Sequence, residues 1–236
     1  MTKSIKTAWA FGLLAGALTF LPQASPAQAK GNCGADPAPQ VNWQDCRKRN
    51  LILSGNDLSG SLLEKTDFAG TDLRDTNLAG SVMIKAIMNR ANAADSNLKE
   101  VDLSKMEGNR VVFSGADMTG ARFDKGELAR AVFKGTKLTG ASFQKAEFSR
   151  SNFAGADLSG VNMSYANLSR AVFSGATLTG LNVQNSWTYL ARFEGADLSG
   201  VLNMTQMQLD QSCGDAETVL PKDLNRPASW PCADGE

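Results

Sequence analysis

The chain has 236 residues, with 24 Lys and Arg against 24 Asp and Glu, four cysteines and no histidine. Balanced charge argues against a protein held to nucleic acid by bulk positive charge. The lack of histidine removes the side chain that most often does acid and base work at neutral pH. The length allows one elongated body or two small domains, and an internal period decides for the first.

Residues 1–29 read as a secretory signal peptide: Lys3 and Lys6 precede an apolar run from Ala8 to Leu21, and Ala27-Gln28-Ala29 supplies small residues for cleavage after Ala29. The run is short for a membrane span, with an uncleaved anchor as the alternative. Cleavage removes two lysines and no acids, so the mature chain carries a net charge of −2. It is expected to be periplasmic or otherwise exported, a photosynthetic lumen reading the same way, with no membrane span. Residues 30–50 differ in composition, with Pro37 and Pro39 close together, and are expected to form an N-terminal cap. Trp43 and Cys46 fall in inward phase there. Lys48 stands at a core phase, which predicts an irregular first coil.

Residues 51–200 are periodic at two levels. Val111 to Arg130 reads VVFSGADMTGARFDKGELAR and Ala131 to Arg150 reads AVFKGTKLTGASFQKAEFSR. Each block is four five-residue units with a bulky apolar centre, usually preceded two places earlier by a small residue. A spacing of five fits neither helix nor straight strand, so the chain must bend once per unit to turn every centre toward one core. Phe113, Phe133, Phe153, Phe173 and Phe193 recur every 20 residues, as do Leu138, Leu158, Leu178 and Leu198. Four units therefore complete a coil, and these columns stack. Among the centres from Leu53 to Leu198, only Ala93, Gly108 and Thr188 are not Leu, Phe, Met or Val. The large Met106 is expected to fill the vacancy at Gly108, with a local bulge.

Units such as ADMTG at Ala116, ADLSG at Ala156 and ANLSR at Ala166 resemble the pentapeptide repeat family, over Leu51 to Gly200 without a break. The resemblance implies an all-β solenoid, a right-handed, four-sided parallel β-helix. Seven to eight coils at roughly 4.8 Å would make a rod of about 36 Å.

Residues 201–236 should cap the other end. Thr205 and Gln208 form a capping box, with Met204 and Leu209 placed for a hydrophobic staple, so a short helix starts there. Irregular chain follows, whose Leu220, Leu224 and Trp230 can seal the last coil. Cys33 and Cys46 precede the repeats, and Cys213 and Cys232 follow them. Three connectivities are open; pairing within each cap needs no bond across the rod. A metal site would lack both Cys-x-x-Cys spacing and histidine.

Function is expected on the surface. Lys105, Lys125 and Lys145 form one column, Arg110, Arg130, Arg150 and Arg170 another, and Glu107, Glu127 and Glu147 lie between them. One reading is a solvated ladder in which the glutamates compensate the columns. The other is a docking face for an unknown protein or an anionic envelope component, since guanidinium forks suit carboxylates and phosphates. Trp187 and Tyr189 are a second candidate at outward phases, although Met207, 20 residues after Trp187, suggests burial under the cap.

No catalytic residue, metal or cofactor is expected: there is no carboxylate pair in a cleft, no phosphate loop, and a filled solenoid has no inner pocket. The favoured reading is an exported, non-catalytic scaffold. The resemblance implies an alternative, a DNA mimic that binds gyrase, but such proteins are cytoplasmic and strongly acidic, and no nucleic-acid partner is expected here. Ligand binding or catalysis in an end cap is the third reading.

Overall fold

The computed structural model describes residues 30–232. The signal-peptide reading concerns residues 1–29 and lies outside them. The chain forms an all-β solenoid of isolated parallel bridges, all but the last two linking a residue to the one 20 positions later, as in Val112 with Val132 and Val132 with Asn152.

One unit explains the whole ladder. In the unit centred on Leu63, the amide of Leu62 donates to Val41 O of the previous coil and that of Leu63 to Val82 O of the next. At the corner, Lys65 N donates to Ile84 O, and Thr66 N closes the turn on Leu63 O. That leaves the residue just after each centre with an unspent N–H, an obligatory donor. Asn and Asp one place before the centre supply the acceptor: Ser59 N donates to Asp57 Oδ1 at 2.9 Å and Ala154 N to Asn152 Oδ1 at 2.9 Å. Sequence analysis overlooked this role of Asn and Asp.

The core is filled from four sides. Phe133, Phe153 and Phe173 stack with centroids 4.8 and 5.2 Å apart and planes within 6° and 2° of parallel. Small residues two places before each centre are also buried, and their hydroxyls are satisfied: Thr66 Oγ1 donates to Trp43 O at 2.6 Å and Ser151 Oγ to Leu128 O at 2.7 Å. A Cβ on Gly108 would meet the Met106 methyl at 2.6 Å, so the thioether does fill that vacancy. The expected bulge is absent, because Glu107 keeps its bridges to Ile87 and Glu127.

Both ends of the ladder reach past the expected boundaries. It starts at Asn42, ahead of Leu51, and the coil around Lys48 is regular rather than distorted. Lys48 is buried with its ammonium 2.9 Å from Cys33 O and 3.7 Å over the Trp43 ring; burial lowers its pKa, opposed by the charge of Asp36. A disulfide joins Cys33 to Cys46 with Cα atoms 5.3 Å apart, and another joins Cys213 to Cys232 at 5.4 Å.

At the far end the helix α1 (Gln206–Asp210) carries the capping box on Thr205 and Gln208. Gln208 Nε2 donates to Val183 O at 2.8 Å and Ser186 O at 2.9 Å, and Thr188 Oγ1 donates to Gln208 O at 2.7 Å. The polar centre at Thr188 is thus a fastening for the cap. Beyond α1 the ladder slips: Arg192 pairs with Cys213 and Asp197 with Val219, one and two residues past the 20-residue step. Trp230 packs over Gly214, where a Cβ would meet the ring at 2.3 Å.

Candidate partner-binding face

The bridges Glu107 to Glu127 and Glu127 to Glu147 set these three residues on one wall, directly above one another and exposed. The Lys105, Lys125 and Lys145 column runs along one corner of that wall and the Arg110, Arg130, Arg150 and Arg170 column along the next. The lysines and the first three arginines are exposed, whereas Arg170 is half-buried. The structure therefore brings the candidate face together.

The expected charge compensation does not appear as contact. Among the described residues no ion pair joins any of these Lys, Glu and Arg side chains; the recorded pairs lie elsewhere, such as Lys99 with Asp117 at 3.3 Å. The glutamates project from mid-wall and the cations from its corners, which keeps them apart. Lys145 reaches toward the Tyr165 ring, 5.8 Å from its centroid, and Glu147 Oε2 accepts from Asn167 at 2.8 Å.

Two local choices on this wall work against stability. The Lys and Arg columns occupy the corner positions with φ between 58° and 60°, the left-handed region that costs L-residues roughly 1–2 kcal/mol. The neighbouring corners use glycine in the same conformation, as at Gly115 and Gly135. The three glutamates also stand where Asn or Asp elsewhere caps the turn, and as like charges in register they repel.

Trp187 continues the same wall, bridged to Asn167. It is 56% exposed, Tyr189 is 46% exposed and Met207 71%, so the expected burial of Trp187 under the cap is corrected. The helix lies over Thr188 and Ser186 and leaves the indole outside. Trp187, Met207, Asn185 and Gln211 border an open groove of about 420 Å³.

Sequence reasoning missed a second concavity, on the arginine corner. Arg49, Asn50, Asn89, Arg90, Asn109 and Arg110 surround an open notch of about 440 Å³ whose floor is Ala69 and Gly70. The signal was available: along this corner only Ala69-Gly70 lacks side chains beyond Cβ. A comparable notch on the lysine corner contains Asp102 and Asp124 beside Lys105, Lys125 and Arg122. Among the described residues no group of three or more Cys, Asp or Glu could hold a metal ion, and no helix is long and apolar enough to cross a membrane.

With the four-unit coil and its stacked columns established, family comparison is decisive. Models of the pentapeptide repeats match residues 52–90 and 86–124, and a model of the pentapeptide repeat region matches residues 126–204. This chain belongs to the pentapeptide repeat family. Solved pentapeptide repeat structures similar to it include HetL, involved in heterocyst differentiation regulation in the cyanobacterium Nostoc sp. strain PCC 7120: 20% identity, 80% of this chain and 93% of that one, TM-score 0.38. A trypsin-treated form of QnrB1, a plasmid-mediated fluoroquinolone resistance protein, is 18% identical over 75% of this chain and 90% of its own, TM-score 0.37. A pentapeptide repeat protein of the Arabidopsis thaliana thylakoid lumen is 23% identical over 56% and 84%, TM-score 0.28. Among curated proteins, none matches the sequence.

Proposed function

We propose that this pentapeptide repeat protein is an exported, non-catalytic scaffold whose Lys–Glu–Arg wall docks an anionic protein or envelope component. The observation that carries the reading is the wall itself: its cations are unpaired and held at corners where glycine would be cheaper. Departures from locally favourable choices concentrate at functional sites. Export is supported by the leader-like composition of residues 1–29 and by a disulfide in each cap, since disulfides persist in oxidising compartments.

The test is crosslinking capture from envelope extract of the native host. It compares the mature protein with a variant in which Lys105, Lys125, Lys145, Arg110, Arg130 and Arg150 become Gln. A partner held by the mature protein and lost by the variant is the expected result. Equal capture by both shifts the working surface to the caps or Trp187, and no capture by either returns the wall to a solvated ladder. Mass spectrometry of the purified protein should find Lys30 at the amino terminus; a retained leader would sink the cleavage reading in favour of the uncleaved anchor, and recovery of the protein from the cytoplasm on cell fractionation would sink export.

A further inference from the structure

We propose that the notch over Gly70 is a discrete binding site for one phosphate or sulfate group. It rests on the corner that carries the docking reading, but on a separate observation. Elsewhere along this corner each coil from Arg90 to Arg170 carries an arginine. At Ala69-Gly70 that wall of side chains is missing for one coil, and the gap is bordered by three guanidinium groups, from Arg49, Arg90 and Arg110.

The donors and acceptors around the gap are unevenly matched. Among the described residues Arg90 and Arg110 have no carboxylate within ion-pair distance, while Arg49 Nε lies 3.5 Å from Asp67 Oδ2, whose other oxygen accepts from Ala69 N at 3.0 Å, so Arg90 and Arg110 are the cations left for an anion. Asn89 Oδ1 is already used, accepting from Asn109 N at 2.8 Å, so the Asn89 carbonyl is turned to the backbone and its amide nitrogen is left to donate. Asn50 folds over Gly70: a Cβ there would lie 2.3 Å from Asn50 Oδ1, and any side chain would displace it. Gly70 also has φ of 69°, so the turn and the close Asn50 side chain call for the same residue, and an anion entering the notch would swing the Asn50 carbonyl oxygen aside.

No carboxylate lines the notch. This distinguishes it from the lysine-corner concavity, where Asp102 and Asp124 would repel an anion. A tetrahedral oxyanion presents acceptors to several guanidinium forks at once, which a single carboxylate does not, and two arginines one coil apart provide such forks at a spacing of about 4.8 Å. The volume exceeds that of the bare ion, so either free phosphate or a phosphate carried on a small sugar fits the chemistry.

Isothermal titration of the mature protein with inorganic phosphate tests the site, with sulfate and glucose 6-phosphate as parallel arms. One ion should bind per chain. The double variant Arg90→Gln, Arg110→Gln should weaken it about tenfold or more, the loss expected from charge-assisted hydrogen bonds. The double variant Arg150→Gln, Arg170→Gln, on the same corner but away from the gap, should leave it unchanged. Tighter binding of the sugar phosphate assigns the site to an ester, and equal or weaker binding assigns it to the free ion. Equal losses in the two double variants would mean diffuse attraction to the column, and a titration without saturation would mean no site; either overturns the proposal. Arg90 lines the notch but lies outside the docking set, so the single variant Arg90→Gln separates the two readings: it should weaken phosphate binding while partner capture stands.

Discussion

At Glu127 the local rule and the actual residue part company. An Asn there would place Oδ1 against the unspent amide of Ala129, as Asn152 does for Ala154, and would remove the middle charge of a stacked glutamate row. Glu127→Asn should therefore raise stability by about 1 kcal/mol, the net value of one hydrogen bond, seen as a higher midpoint in thermal unfolding. A midpoint that stays or falls would mean that the amide is already satisfied by solvent and that the row repels little. This is where sequence reasoning stopped short: the alternation of large and small residues is visible in the letters, but the single donor left over by each turn appears only once every other amide has been assigned.

At the scale of the element, the coil is held by columns rather than by the unit itself. Phe153 sits between Phe133 and Phe173 in nearly parallel stacking and also meets Phe148 edge-on at 5.3 Å. Phe153→Ala should cost about 3–5 kcal/mol, because the neighbouring rings belong to a rigid ladder and cannot close the cavity. Chemical denaturation gives the value directly; a loss below about 1 kcal/mol would show that the coil relaxes around the gap. These columns were legible because a core repeated every 20 residues leaves one consistent residue type at each phase. The caps were legible only in part. The Cys spacing favoured pairing within each cap without deciding it and the Thr205–Gln208 box foretold the helix, but neither the carbonyl-binding role of Gln208 nor the regular coil around Lys48 was legible, because both depend on contacts across coils.

Over the whole molecule, the turn-capping carboxylates act together. The Ser59 amide holds Asp57 below the ordinary carboxylate range, and the hydroxyls of Ser159 and Ser199, assisted by their amides, do the same for Asp157 and Asp197. Folded pKa values below the unfolded one mean stabilisation that is present above about pH 4 and lost as pH falls through the folded values. The unfolding midpoint should therefore be flat near neutrality and drop in acid. The triple variant Asp57→Asn, Asp157→Asn, Asp197→Asn keeps the acceptors and should flatten that drop; an unchanged acid limb would place the sensitive groups elsewhere. The wall was legible as two charged columns and the gap beside it as the small pair Ala69-Gly70, while the lack of internal pairing was not, because side-chain reach at a corner is not written in a period.

The slipped register after α1 has a bearing on behaviour in concentrated solution. A rod of equal coils ends in an edge onto which a second copy, having the same step, can grow, and such growth makes fibres. Cys213 and Val219 pair one and two residues out of step, and Trp230 lies across the end. An incoming coil with the regular step cannot match both slipped bridges at once, which makes this end a poor template for a second copy.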